Sequence, residues 1–298
     1  MRKEQNILAI SRRTQHDQKH VSNDAKMFEM VVLQLGKIGY AVKQIDEDAL
    51  AEYLDSSRPG RIVSMAQRPE NTALLAQLEA EGCVIINSFY SVMNTYRVFM
   101  ALRLADQPFP FARSKILSSL VEEELENFEE EAYTMVAKTL GEPFYIKRGD
   151  IHAAHPNDVV CIASRENFAN ALEDFRERGV RAAIVQEHCE GTVVKFYAVS
   201  GKKFFHAQNF ETGITVEFDT TALEEQAERI AGVLGLTIYG GDVVITPEGD
   251  LLFIDFNAWP SFGSVRDKAV PVMVKAIVEV FDEERMTVDT LSDTGETI

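Results

Sequence analysis

Three oxygen-bearing side chains stand close together in the stretch LTIYGGDVVITPEGDLLFIDFNAWPSF, Leu236 to Phe262: Asp242, Asp255 and Asn257. Two carboxylates and an amide oxygen form a hard donor set, suited to Mg²⁺ rather than Zn²⁺. A hairpin would bring them together. VVIT (Val243 to Thr246) and LLFIDF (Leu251 to Phe256) are apolar runs separated by PEGD, whose Pro, acid and Gly are turn residues. Antiparallel pairing about Glu248 and Gly249 sets Asp242 close to Asp255, and Asn257 shares Asp255's strand face. Carboxylates near strand ends are ordinarily just solvated. Asp255, however, lies inside an apolar strand, where a charge needs a partner. Read as an unpaired buried carboxylate, it should be removable with apo stability unchanged or higher.

The elements that must carry this hairpin alternate along the chain. ILAIS is a first strand, a helix is expected from about Ser22 to Lys37, and YAVKQI, RIVSMA and CVIINS are further strands with helices between them. Residues 1 to about 90 therefore read as an open α/β domain with a parallel sheet, whose strand ends face a ligand crevice. Arg12 and Arg13, directly after the first strand, are candidates to touch a substrate there. A helix from about Val92 to Leu104 follows, and QPFPF breaks it. The acidic run Val121 to Glu131 opens a helix that ends at Gly141. PFYIKRGD, VVCIA, AIVQEH, TVVKFYAV and FFHAQNF are strands, with a helix in ENFANALEDFRERG and another in TTALEEQAERIAGVLGL. Ala269 to Asp282 is a last helix, and residues 286–298 are expected to be a disordered tail.

Asp, hairpin, acid-x-Asn and a Pro-containing loop, in that order, resemble the metal-binding end of the ATP-grasp superfamily. The usual family pattern is Asp…Glu-x-Asn; Asp255-x-Asn257 is similar to the inositol-phosphate kinase branch. The resemblance implies an ATP-grasp fold, α/β with α+β lobes: a pre-grasp domain over 1–90, then a grasp domain over 91–285 whose lobes, about 91–183 and 184–285, clasp ATP. It implies Lys147 as the lysine on the α- or β-phosphate; a strand lysine snorkelling to the surface is the competing reading. It implies a hinge against adenine at Gln186, Glu187 and His188, with Glu190 on the ribose, and Lys195 near the γ-phosphate. The loop after the hairpin, with Ser261, Ser264 and Arg266, would meet the acceptor, unless Arg266 only pairs at the final helix. Two departures stand out. Arg97 occupies the slot where a lysine is usual, and GDIHAAHPND replaces the Gly- and Ser-rich phosphate lid. His152 and His155 in that segment could donate to phosphate, though their spacing without a third ligand makes no zinc site.

The implied cofactors are ATP and Mg²⁺, with Mn²⁺ as a substitute. The expected reaction is that of a carboxylate–amine ligase acting through an acyl phosphate on small-molecule or peptide substrates. The alternative is a small-molecule kinase phosphorylating an alcohol. A net charge of −17 over 298 residues argues against nucleic acid or an anionic membrane as partner, and a homodimer is compatible with the composition. No apolar run approaches the roughly 20 residues of a membrane span. Cys83, Cys161 and Cys189 read as buried, reduced thiols of a cytoplasmic protein.

Overall fold

The computed structural model describes residues 6–12, 18–117, 128–152, 155–214 and 219–294. Strands β1 (Asn6–Ser11), β2 (Ala41–Asp46), β3 (Arg61–Ser64) and β4 (Val84–Ile86) form a parallel sheet in the order β2-β1-β3-β4. β1, β3 and β4 are apolar on both faces because both are covered, while the edge strand β2 leaves Lys43 and Gln44 exposed. Leu8, Ile10, Ile62 and Ile85 pack with Leu50 and Leu54 of α2 (Leu50–Ser56) and Leu75 and Leu78 of α3 (Pro69–Ala80). Ile7, Ala9, Val63 and Ile86 face the other way, toward Phe28, Val31 and Leu35 of α1 (Gln18–Lys37). Arg13 lies outside the described residues, as do residues 121–127 of the acidic run.

The single helix expected over 92–104 is two, α4 (Phe89–Met93) and α5 (Arg97–Leu104). No Gly or Pro marks the break. Thr95 instead turns its hydroxyl onto the Val92 carbonyl at 2.6 Å, and Tyr96 takes an extended conformation as the N-cap of α5 while its hydroxyl reaches the Gln67 carbonyl at 2.8 Å. A side chain bonding back to local backbone competes with helical continuation. The break makes Arg97 the first residue of α5.

Strands β5 (Ser114–Leu117), β6 (Phe144–Arg148), β7 (Val159–Ile162) and β8 (Ala183–Glu187) form an antiparallel sheet, order β5-β8-β6-β7. Phe144, Ile146, Ile162 and Val185 pack against Val136 and Leu140 of α6 (Phe128–Leu140) and Phe168, Leu172 and Phe175 of α7 (Arg165–Glu177). By strand alternation, Tyr145, Lys147 and Gln186 belong to the other face. A third sheet, antiparallel in the order β10-β9-β11-β12, comprises β9 (Thr192–Val199), β10 (Phe204–Asn209), β11 (Ile238–Ile245) and β12 (Leu251–Ala258). Helices α8 (Thr221–Leu234) and α9 (Arg266–Thr294) pack in the same core as this sheet, α5 and the α1 face of the first sheet.

Polar braces tie the first sheet to the third. Asn87 donates to the Ile238 carbonyl at 2.7 Å and accepts from Thr237 N and Ile238 N at 2.8 and 3.0 Å. Ser91 donates to the Gly235 carbonyl at 2.6 Å. Backbone bonds from Ala112 N to Phe253 O (2.9 Å) and Phe253 N to Pro110 O (2.8 Å) then fasten the segment entering β5 onto β12.

Two expectations are corrected here. The last helix begins at Arg266 and continues through Thr294, so the tail set apart at 286–298 is helical up to that residue; 295–298 lie outside the described residues. The cysteines are free, but only Cys83 is buried: Cys161 is exposed and Cys189 intermediate. Among the described residues, no helix is long and apolar enough to cross a membrane.

Candidate active site

The hairpin forms as its turn chemistry dictates. Thr246 N donates to Asp250 O and Gly249 N to Thr246 O, both at 2.9 Å, and Gly249 takes a positive φ of 92° that its missing Cβ permits. In the resulting register Asp242 is opposite Asp255 and Gly240 is opposite Asn257, with a bulge between Asp242 and Val243. Across the neighbouring ladders Lys195 is opposite Asp242, and Gln208 of β10 is opposite Lys195. Gln208, Lys195, Asp242 and Asp255 therefore form one row across all four strands of the third sheet. A second row holds His206, Tyr197, Gly240 and Asn257. Gly240 is required here, since a Cβ would lie 2.5 Å from Phe196 O and 2.9 Å from Pro260 Cγ.

Each carboxylate already faces a cation. Lys195 Nζ is 2.8 Å from Asp242 Oδ1, and Arg97 Nη2 donates to Asp255 Oδ2 at 2.7 Å. The partner that Asp255 needed is thus an arginine 158 positions away in sequence, and the expectation of an unpaired, dispensable carboxylate is overturned. Arg97 and Asp255 are 8% and 9% exposed. Burial alone would push Asp255 up, but Arg97 and Lys147 outweigh it and hold its pKa below the usual carboxylate range. Asp242 goes the other way. Burial raises it, Lys195 offsets this only in part, and the neighbouring Asp255 adds to the rise. Burial pulls Lys195 down, yet Asp242 leaves it above its ordinary value and charged.

Lys147 is a buried group, 6% exposed, and no surface lysine. Its ammonium donates to Gln186 Oε1, and Gln186 Nε2 donates to Ser114 Oγ at 3.1 Å and Ile254 O at 3.4 Å. Gln186 is 1% exposed, so its side chain orients the lysine. Burial lowers Lys147 to about 8, and the nearby Asp255 opposes the fall.

The other candidates scatter around this centre. Glu187 accepts from Arg113 N at 2.7 Å and Arg113 Nε at 2.6 Å, joining β8 to the start of β5. His188 is exposed beside the Tyr145 ring, centroids 5.8 Å apart, and Glu190 is exposed. His152 and His155 do not converge. His155 caps a short turn, its Nδ1 accepting from Asn157 N at 3.1 Å. The imidazole of His152 lies edge-on to Tyr96 and 3.0 Å from the Thr95 hydroxyl. Burial, with Arg12 and Arg97 nearby, lowers its pKa to about 3 and keeps it neutral. Arg12 pairs with Asp24 at 2.7 Å. Arg266 Nη2 donates to Asn23 Oδ1 at 3.1 Å, and its buried Nε has no acceptor among the described residues. Sequence reading missed Gln208, Tyr197 and His206. Their alternation in FFHAQNF and TVVKFYAV was visible, but nothing in it fixed which strand lay beside which.

Asp242, Asp255 and Asn257 fit a hard divalent cation. Their donors are all oxygen, they sit at adjacent register positions, and the Asn257 amide has no hydrogen bond among the described residues. Among those residues, no group of three or more His, Cys, Asp or Glu side chains could hold a metal, so the Asn oxygen is needed to complete the set.

A parallel sheet joined to two antiparallel sheets, with a buried lysine from one facing a carboxylate pair on the other, is the ATP-grasp fold, and this chain has it. The D-alanine–D-alanine ligase of Coxiella burnetii superimposes with a TM-score of 0.72 over 97% of this chain and 98% of that one, at 14% identity. The ATP-grasp ligase PsnB, solved with a minimal precursor, Mg and ADP, does so with a TM-score of 0.60 over 91% of this chain and 98% of its own, at 14% identity. In sequence, the chain is 36% identical over 176 residues to inositol-tetrakisphosphate 1-kinase 6 of Oryza sativa. That match covers 44% of this chain and only 32% of the kinase, so about a third of the relative's length is spanned. No family model matches the chain.

Proposed function

We propose that this protein is an ATP- and Mg²⁺-dependent ligase that joins a small-molecule or peptide carboxylate to an amine through an acyl phosphate. The observation that carries this reading is the row Lys195–Asp242–Asp255 with Arg97 and Lys147 turned toward it. Asp242, Asp255 and Asn257 would hold the cation, whose contribution is neutralisation of phosphate charge during transfer. Lys147 is assigned to phosphate, with Gln186 fixing its position. Gln186, Glu187 and His188 form the segment assigned to adenine, and Glu190 the group assigned to ribose. Lys195 is assigned to the γ-phosphate, and Arg266 to an acidic acceptor.

Carboxylate is favoured over alcohol as the nucleophile because it needs no deprotonation. Around the row, the carboxylates are held by cations and His152 is held neutral with a pKa of about 3. None is suited to take a proton from an alcohol. The kinase reading rests on two other observations, the Asp255-x-Asn257 pair and the 36% identity to the rice kinase.

Hydroxylamine separates the two. With ATP, Mg²⁺ and a panel of carboxylates, the ligase reading expects ADP release and an iron-reactive hydroxamate. ADP formed from an alcohol, with a hydroxylamine-stable phosphate ester and no hydroxamate from any carboxylate, would replace it with the kinase.

A further inference from the structure

Around the oxygen set, the two carboxylates Asp242 and Asp255 are matched by three cations: Lys195 at 2.8 Å from the first, Arg97 at 2.7 Å from the second, and Lys147 close enough to both to act on them electrostatically. A bare divalent cation approaching this cluster meets no excess of negative charge, and both Asp255 oxygens already accept a hydrogen bond, Oδ2 from Arg97 and Oδ1 from Phe256 N at 3.1 Å. A nucleotide reverses that balance, because its phosphates bring several negative charges and accept hydrogen bonds from guanidinium and ammonium groups.

Arg97 is built to answer to such a ligand. Its Nη1 donates to Arg148 O at 3.1 Å and its Nη2 to Asp255, but its buried Nε has no acceptor among the described residues. The fork of donors is only partly used, and a phosphate oxygen would supply what is missing. Its backbone is held by the α4–α5 break, through Thr95 and Tyr96. The guanidinium can therefore exchange partners while its Cα stays in place.

We propose that Arg97 is a built-in counter-cation of the oxygen site: it holds Asp255 until nucleotide phosphate draws it off, so that the divalent cation is taken up together with nucleotide and not by the bare protein. Arg97 is a positioning residue in this scheme. The inference rests on the metal reading of Asp242, Asp255 and Asn257, and goes beyond it.

The test is Mn²⁺ binding by electron paramagnetic resonance, with and without a non-hydrolysable ATP analogue, alongside thermal unfolding with Mn²⁺ alone. In the wild type, Mn²⁺ should bind at least about tenfold more tightly with the analogue present, as removal of a facing unit charge at this range implies. Arg97→Met should gain about as much affinity for Mn²⁺ without nucleotide, and Mn²⁺ alone should raise its Tm but not that of the wild type. Arg97→Lys should behave as wild type. If Arg97→Met does not fold, Arg97→Gln, which keeps a donor for Arg148 O, carries the same expectation. Tight Mn²⁺ binding to the wild type without nucleotide, or no gain in the neutral variant, overturns the proposal. Asp255→Asn with the analogue tests the site separately: if wild type and Asp255→Asn bind Mn²⁺ alike, the metal reading itself fails.

Discussion

Lys147 and Gln186 meet across the β6–β8 ladder, ammonium to amide oxygen, with both side chains buried and the glutamine anchored in turn on Ser114 and Ile254. A lysine held this way is a pre-oriented, buried charge. Lys147→Met should weaken ATP binding by roughly 1.5–3 kcal/mol, the value of a charge-assisted contact, with a smaller effect on adenosine. Calorimetric titration of both ligands checks it, and equal losses would place the lysine elsewhere.

The same lysine carries a pH signature. With its pKa at about 8, the ammonium loses its proton as pH rises past that value, so wild-type ATP affinity should fall above about pH 8 while that of Lys147→Met stays flat. Stability follows the opposite sign. The unfolded lysine titrates near 10.5, so between 8 and 10.5 the unfolded chain binds more protons, and the lysine's contribution to stability rises with pH. Denaturant unfolding across that window should show the rise in wild type and not in Lys147→Met.

Asp255→Ala should abolish Mg²⁺-dependent turnover and also destabilise the protein. It leaves Arg97 buried without its carboxylate, a loss of about 3–5 kcal/mol. Arg97→Met added to Asp255→Ala should recover much of that loss, since the double variant buries no unpaired charge. Urea unfolding of the four proteins in the cycle measures the coupling; additive losses would mean the pair at 2.7 Å contributes nothing.

Glu190→Ala should reduce the affinity for ATP and adenosine alike, because a ribose contact is common to both. Glu190 is exposed, so its removal should leave Tm within about 1 °C, a surface change being worth under about 0.5 kcal/mol. Unchanged adenosine binding would remove the ribose assignment.

Arg266 has one edge on Asn23 and one buried donor, Nε, without an acceptor among the described residues. Arg266→Lys should raise the KM for an acidic co-substrate severalfold or more, with ATP affinity unchanged, because an ammonium cannot reproduce the planar fork. Asn23→Ala should lower Tm and leave that KM alone. The reverse pattern would make Arg266 a strap between α1 and α9.

The hairpin was readable from residues 236–262 because it is local. Two apolar runs flank a Pro–Glu–Gly–Asp turn, and antiparallel pairing about that turn leaves little choice over what faces Asp242. The parallel first sheet was readable for a similar reason, since strand and helix periods alternate in plain sequence. The break between α4 and α5 was not. It comes from Thr95 and Tyr96 bonding to a carbonyl within the helix and to one on the β3–α3 connection, and neither residue type signals it. What surrounds the oxygen set was decided by tertiary structure alone. Arg97 reaches Asp255 across 158 residues, Lys195 lies beside Asp242 only because β9 is the neighbour of β11, and the Gln186 side chain anchors a buried lysine from the neighbouring strand. Spacing along a chain determines which side chains share a face. Which faces meet, and so which charges neutralise one another, is fixed by packing between segments that the sequence keeps far apart.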